Sequence, residues 1–277
     1  KYVGGSRRWL IIGPVSFQPS ELVKIAVILA LARYYSRDAK TRGFTLRELL
    51  RPVMIIMLPV LLIGMQPDLG TAGLVVLIAG SITVFVKIER RSFAYLFASG
   101  AVLVPLIWFF LKEYQKRRIL VFLNPDRDPL GAGYHIIQSK IAIGSGMLSG
   151  KGFLKGTQNA LSFLPEEHTD FIFSIIGEEL GFIGVIGIII LFIILTYCGI
   201  KICAKAPDLF GTFLALGITS FIVLHAVINL GVVMGLLPTK GSTLPFISYG
   251  GTSLVVNLTS IGILLNISSQ CSMNRTS

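Results

Sequence analysis

The fold is decided by residues 164–200, which read LPEEHTDFIFSIIGEELGFIGVIGIIILFIILTYCGI. Ionisable side chains crowd residues 166–170, and from Phe171 the chain is almost wholly apolar. This pattern predicts a membrane-spanning helix whose N-terminal end carries a cluster of ionisable side chains at the boundary between water and bilayer. A carboxylate at such a boundary is partly desolvated, so its pKa can be tuned toward that of a general base.

The composition is that of a protein that crosses a membrane several times. Hydrophobic residues make up 53% of the chain, charged residues only 14%, and the mean hydropathy is +0.77. Soluble domains carry about a quarter charged residues. In a membrane protein the net charge of +11 is mainly a topology signal, so no nucleic-acid partner is expected. Binding of anionic lipid or phosphate is the alternative reason for the basic excess.

Seven apolar runs are candidates for crossing the bilayer, which takes about 20 residues in a helix. They are residues 19–36, 52–66, 70–87, 93–111, 171–200, 209–236 and 244–268. The predicted fold is therefore all-α, a polytopic helical membrane protein with a single membrane domain over residues 1–277. The chain opens on a polar stretch without an initiator Met or a signal peptide, so we expect an earlier part to be missing.

Loop charges predict the orientation of the spans. Basic residues concentrate in segments that we assign to the cytoplasmic side: residues 33–51, 87–91 and 199–205. Residues 112–170 then form a large extracytoplasmic loop. The loop opens on a basic cluster at residues 112–118, which either binds a phosphate-bearing ligand or forms a solvated helix. Within the loop, residues 134–147 are weakly amphipathic and predict an interfacial or re-entrant helix.

Two polar groups precede the loop, both on the predicted outer side. Arg7, Arg8 and Trp9 form the first; its Trp either anchors the chain at the interface or stacks on a sugar beside two phosphate-pairing arginines. The second is the turn at residues 66–71, QPDLGT, where Asp68 or Thr71 is expected to cap the following helix.

A third polar group comprises residues 166–170 together with Glu178 and Glu179 in the apolar run that follows. Ionisable residues inside such a run are costly, so a functional role is the default hypothesis. Asp170 either caps the helix that follows or acts as a base.

The fourth polar group is Lys240 with the motif at residues 244–251, LPFISYGG. Lys240 neutralises a phosphate, pairs with Asp170 or snorkels to the interface. In the first span, Glu21 and Lys24 lie on one helical face and are expected to pair structurally.

The absence of several well-known motifs argues against the corresponding classes of active site. The sequence has no HExxH motif, no Walker loop and no dinucleotide fingerprint. It also lacks a Ser nucleophile motif with nearby His and Asp. Because the polar residues concentrate outside the membrane, a pump or channel is disfavoured.

The motifs together resemble the SEDS family (shape, elongation, division and sporulation). They occur in the family's order, as GSRRW at 5–9, FQPSE at 17–21 with Lys24, QPDLGT at 66–71, GYHIIQS at 133–139, LPE at 164–166 with HTDFIF at 168–173, GEELG at 177–181 and LPFISYGG at 244–251. Within the family, Gly156-Thr157-Gln158 is more like the elongation branch, RodA, than the division branch, FtsW.

The resemblance implies a ten-span fold, of which this chain would hold seven spans. It implies a peptidoglycan glycosyltransferase that polymerises lipid II into glycan strands during cell elongation and rod-shape maintenance. The reaction would take place on the outer face of the bacterial cytoplasmic (inner) membrane. Implied partners are a class B penicillin-binding transpeptidase and the membrane proteins of the rod complex. The family's essential aspartate corresponds to Asp170, its functional tryptophan to Trp9, and an important lysine to Lys240.

Joining two lipid-linked disaccharides requires removal of a proton from a sugar 4-hydroxyl, and Asp170 is our hypothesis for that general base. The leaving polyprenyl diphosphate requires positive charge nearby. A divalent cation, Mg²⁺ or Mn²⁺, is a further source of charge, although the sequence contains no clear metal cage. The candidates for substrate binding are Arg7, Arg8, Trp9, Lys116, Arg117, Lys151, Lys155, Glu166, His168 and Lys240.

Two other functions stay open at this point. A lipid II flippase would need polar groups along a path through the bilayer, for which the candidates are Glu21, Lys24, Glu178 and His225. A non-catalytic scaffold for a transpeptidase would need no chemistry of its own. Polymer formed beside a partner whose active site is dead would distinguish the enzyme from both.

Overall fold

The computed structural model of the chain describes residues 9–12, 15–37, 43–66, 68–124, 128, 131–156, 169–238 and 241–276. Over this part the chain is mainly helical, as the composition predicts. The helices are α1 (Pro19–Arg37), α2 (Leu46–Met65), α3 (Leu69–Val84), α4 (Arg90–Phe110), α5 (Glu113–Leu123), α6 (Ala132–Ser145), α7 (Ile172–Lys205), α8 (Leu209–Val233) and α9 (Gly251–Thr276).

Each of the seven predicted apolar runs carries one of these helices. Among the described residues, four helices are long and apolar enough to cross a membrane: α2, α7, α8, and α9 over Gly251–Cys271. Helix α3 is apolar but has only 16 residues. The chain is thus a multi-pass membrane protein, while the count of seven spans and the outward side of residues 112–170 stay predictions. So does the single membrane domain.

Two local features differ from the predicted all-α pattern. A short antiparallel hairpin pairs β1 (Leu10–Ile12) with β2 (Val15–Phe17). The last predicted span begins at residue 244, but α9 begins only at Gly251. Residues 244–250 instead form a turn, because Pro245 cannot donate a helical hydrogen bond and Phe246 has a left-handed φ of 66°. The amides of the two residues after Phe246 then bond back to the Leu244 carbonyl.

The described chain divides into two compact units, the first of which comprises Lys1–Ser99, Leu195–Leu224 and Gly251–Ser277. In this unit α1, α2 and α3 pack on one another around Tyr35, which is 1% exposed. The Tyr35 hydroxyl lies 3.0 Å from the Thr83 hydroxyl, and its ring meets the Phe44 ring edge-on at 5.3 Å. A buried phenol is stable only with such a partner.

Polar residues of the first unit are paired locally. Lys24 is buried and donates to the Glu21 carboxylate at 2.7 Å, and its ammonium lies 5.3 Å from the centre of the Phe221 ring. Asp68 precedes α3 and accepts from the Thr71 amide at 3.0 Å, which satisfies one of the orphan amides at the helix start.

The second unit comprises Gly100–Ile194 and His225–Gly250. The predicted interfacial segment at residues 134–147 is occupied by helix α6. Buried Ser139 on α6 donates to the Val233 carbonyl and lies within hydrogen-bond distance of the Ser174 hydroxyl, each at 2.7 Å. These bonds join α6 to both α7 and α8.

Helix α7 is broken at Gly181, where φ is 65° and ψ is −161°. Side chains rarely tolerate this backbone conformation, so the position requires glycine. In an unbroken helix, the amides of Phe182 and Ile183 would donate to carbonyls four residues earlier. They donate instead to the carbonyls of Met147 and Leu148, at 2.9 Å and 3.2 Å.

The carbonyls released by the break also find partners in the segment that follows α6. The Glu178 carbonyl accepts from the Lys151 amide and the Glu179 carbonyl from the Gly152 amide, both at 3.0 Å. A side chain at Gly150 would collide with the Glu179 carbonyl, so glycine permits the close approach. Four main-chain hydrogen bonds thus join residues 147–152 to the two ends of the break.

We expect Gly181→Ala to destabilise the protein by about 2–3 kcal/mol, because alanine is strained at this φ and ψ and its Cβ would collide with the Gly150 amide. Gly187→Ala is the matched control in the same helix, since apart from the local helix backbone no atom lies within 4 Å of the added Cβ. Thermal unfolding in detergent measures both variants. Equal stability of the two would contradict the strained break.

Candidate active site

The candidate catalytic carboxylate, Asp170, lies in the turn that precedes α7 and is half-buried. Its Oδ2 atom points to the main chain of Gly241, where an added Cβ would lie only 3.0 Å away. Glycine at position 241 therefore leaves the space beside this oxygen without a side chain. Lys240 is the preceding residue in the chain, although it lies outside the described residues.

The turn that carries Asp170 is held by the side chain of Asn229, which is 1% exposed. The Asn229 amide nitrogen donates to the Asp170 carbonyl at 3.0 Å and to the Ser242 carbonyl at 2.6 Å. One primary amide thus uses both of its protons to join two segments distant in sequence. Sequence analysis did not assign this role to Asn229, whose only signal was a polar residue within an apolar run.

Ser248 joins the same two segments from the other side. Its hydroxyl donates to the Thr169 carbonyl at 2.5 Å and accepts from the Leu244 amide at 2.7 Å. The turn at residues 244–250 therefore has a function in this site, because its geometry presents Ser248 to Thr169. Asp170 is thus positioned through two main-chain carbonyls, its own and that of Thr169.

An apolar cluster packs beneath the turn, formed by Phe171, Phe173, Ala226, Val233 and Leu244. The His135 ring, from α6, lies 6.0 Å from the Phe171 ring. Burial lowers the pKa of His135 below its ordinary value, so the imidazole is neutral at pH 7. Its buried Nδ1 has no hydrogen-bond partner among the described residues.

The acids of α7 lie at the helix break. Glu178 is fully buried and its Oε1 accepts from the Lys151 ammonium at 2.6 Å. Glu179 is also buried, and its Oε1 has no hydrogen-bond partner within the described part of the chain. The charge of Lys151, a predicted diphosphate ligand, is therefore already balanced by a buried carboxylate.

Two residues of the basic cluster that opens the predicted loop also form ion pairs. Arg117 pairs with Asp128 at 3.1 Å, and Lys116 pairs with Glu113 at 3.4 Å. Both pairs are partly exposed, so each contributes little to stability and can exchange for another anion. Lys155 is exposed.

The other predicted site residues are either in the first unit or outside the described residues. Trp9 is half-buried immediately before β1, and Glu21, Lys24 and Asp68 belong to the first unit. Arg7, Arg8, Glu166, His168 and Lys240 lie outside the described residues.

Comparison with known proteins gives consistent matches. The sequence profile of the FtsW/RodA/SpoVE family, described as cell cycle proteins, matches residues 1–273. The chain is 45% identical over 270 residues to the peptidoglycan glycosyltransferase MrdB of Escherichia coli K12, covering 95% of this chain and 71% of the relative.

Two solved structures are similar to the chain. One, from a study of how a peptidoglycan synthase complex coordinates polymerization and crosslinking, has a TM-score of 0.79 and 31% identity, covering 98% of this chain and 75% of that one. The other is the rod shape determining protein RodA of Thermus thermophilus, with a TM-score of 0.64 and 27% identity. The match covers 96% of this chain and 70% of the RodA chain.

We expect Asn229→Ala to lower the stability by about 1–3 kcal/mol, because it leaves the buried carbonyls of Asp170 and Ser242 without this donor. Asn229→Asp should be similarly damaging, since a carboxylate cannot donate. The control is Asn266→Ala, at an exposed position on α9, for which little change is expected. Thermal unfolding distinguishes the variants, and a stable Asn229→Ala protein would contradict the positioning role.

Proposed function

Because the chain belongs to the FtsW/RodA/SpoVE family of cell cycle proteins, we propose that it is a peptidoglycan glycosyltransferase that polymerises lipid II. Its similarity to MrdB supports the reaction class. The observation that carries the proposal is the half-buried Asp170, whose main-chain carbonyl accepts from the Asn229 side chain and whose carboxylate lies beside Gly241, a residue without a side chain.

In the proposed reaction, Asp170 accepts the proton of the 4-hydroxyl of one lipid-linked disaccharide. The oxygen forms a bond to the anomeric carbon of a second molecule, and the bond from that carbon to the diphosphate breaks. The polyprenyl diphosphate leaves with the electron pair. One direct displacement inverts the configuration of the anomeric carbon.

The geometry around Gly241 supports this role for Asp170. A general base must come within hydrogen-bond distance of the hydroxyl that it deprotonates. Gly241 has no side chain, so no side chain at this position blocks the approach of a hydroxyl to the Oδ2 atom of Asp170. The bonds from Asn229 and Ser248 fix the main chain, so the carboxylate needs little reorganisation when substrate binds.

Positive charge for the departing diphosphate would come from basic residues of the second unit, which also holds Asp170. Exposed Lys155 and Lys240, adjacent to Gly241, are the best candidates within this proposal. Lys116, Arg117 and Lys151 already have acidic partners and would first have to exchange them. For Arg7 and Arg8, which lie outside the described residues, phosphate binding stays a prediction from the sequence.

We further propose that the enzyme works in the bacterial cytoplasmic membrane with residues 112–170 outward, during cell elongation. The similarity to a complex that coordinates polymerization and crosslinking supports a class B penicillin-binding transpeptidase as a partner, and proteins of the rod complex would be further partners.

A divalent cation, Mg²⁺ or Mn²⁺, is part of the proposal as a ligand of the diphosphate. No group of three or more His, Cys, Asp and Glu side chains comes together in the described residues, so substrate oxygens and water would supply most of its ligands. We expect EDTA to abolish polymerisation and added Mg²⁺ or Mn²⁺ to restore it. Unchanged polymerisation in EDTA would remove the cation from the proposal.

Asp170→Asn should reduce polymerisation of labelled lipid II at least about 100-fold, because the amide cannot accept the proton. The side chain keeps its size, so thermal stability should be retained. Asp208→Asn is the control: Asp208 caps α8 by accepting from the Gly211 amide, a role that asparagine can keep. The full-length protein is assayed with its transpeptidase partner, and chain length is measured on gels.

Normal polymerisation by a folded Asp170→Asn protein would show that Asp170 is not the base. No polymerisation by the wild-type protein, with a partner whose own active site is dead, would favour the flippase or scaffold alternatives. Transport of lipid II across vesicles would then separate those two.

A further inference from the structure

The segment that follows α6 exposes four large apolar side chains. Among residues 147–155, here called the apolar loop, Met147 is 81% exposed, Leu148 70%, Phe153 75% and Leu154 73%. Side chains of this size are normally removed from water, and an exposed cluster of them marks a surface that is covered in use.

The apolar loop is held in a defined shape. Met147 and Leu154 have left-handed φ values of 47° and 59°, which are strained for residues with bulky side chains. The four main-chain hydrogen bonds to the break in α7 hold the loop in place. The apolar side chains are therefore displayed by a fixed scaffold.

The burial of α7 changes at the break, where the apolar loop is attached. From Phe173 to Glu179 most residues are buried within the unit, whereas Phe182 and Ile183 are 54% and 68% exposed. The helix after Gly181 continues to Lys205, a length of roughly 36 Å, which matches the hydrocarbon core of a bilayer with its borders. The break thus lies near the level where this span enters the membrane.

Charge in the apolar loop also suits a membrane surface. The loop reads MLSGKGFLK, with two lysines and no acid. Lys155 is exposed beside Leu154, and lysines at the border of a leaflet interact favourably with lipid phosphates.

We propose that the apolar loop inserts into one leaflet of the bilayer as a fixed anchor. Phe153, Leu154, Met147 and Leu148 lie among the acyl chains, continuous with the lipid-facing side of α7 after the break. Lys155 lies at the level of the phosphates. The anchor sets the depth of α7, and the nine-residue helical segment from Ile172 to Leu180 then separates Asp170 from the break by about 13 Å along the helix.

The test is spin-label accessibility in the full-length protein, reconstituted in vesicles of phosphatidylethanolamine and phosphatidylglycerol. Single labels replace Phe153 or Leu154 after the native cysteines are changed to serine. Leu191 on α7, which is 66% exposed, is the lipid reference, and Glu113, whose side chain is 93% exposed, is the water reference. Accessibility to oxygen and to a nickel chelate is measured by power saturation.

We expect the loop labels to match Leu191, with high oxygen accessibility and loss of nickel accessibility relative to Glu113. Nickel accessibility equal to that of Glu113 would place the loop in water and overturn the anchor. Shielding from both reagents would indicate a protein partner or a second copy and overturn it equally. None of these readouts uses enzymatic activity, so they are independent of the proposed function.

Discussion

The structure depends on the requirement that main-chain polar groups find partners where water is scarce. In an apolar environment each unpaired amide or carbonyl costs several kcal/mol, so an interrupted helix must be completed by other parts of the chain. At Gly181 the missing hydrogen-bond partners come from the main chain of residues 147–152. At the turn before α7 the side chains of Asn229 and Ser248 donate to the free carbonyls. The two ends of the short helical segment from Ile172 to Leu180 are thus both fixed by groups distant in sequence.

This arrangement constrains Asp170 through its main chain. A general base must be held within reach of the hydroxyl that it deprotonates, so the backbone that carries it has to be fixed. Here the described bonds from Asn229 and Ser248 reach the carbonyls of Asp170 and Thr169. The positioning therefore acts on the backbone and leaves the chemistry of the side chain to its surroundings.

Much of the helical fold was predictable from the sequence, because long apolar runs permit little else in a membrane. The break in α7 was not, since Gly177, Gly181, Gly184 and Gly187 look equivalent in sequence and only the packing of residues 147–152 selects one of them. The location of Asp170 just before a helix was predictable, because it precedes an apolar run. The role of Asn229 was not, because one of its partners is a carbonyl 59 residues away and carbonyls carry no sequence signal.

The exchange of hydrogen bonds at Gly181 has a consequence for the dynamics of the chain. The loop amides bond to helix carbonyls while the helix amides bond to loop carbonyls, so neither part can open while the other stays intact. Residues 147–152 and the helix ends at the break therefore form one cooperative unit of local unfolding. Their amide protons would therefore exchange with solvent through one shared opening and report the same opening free energy.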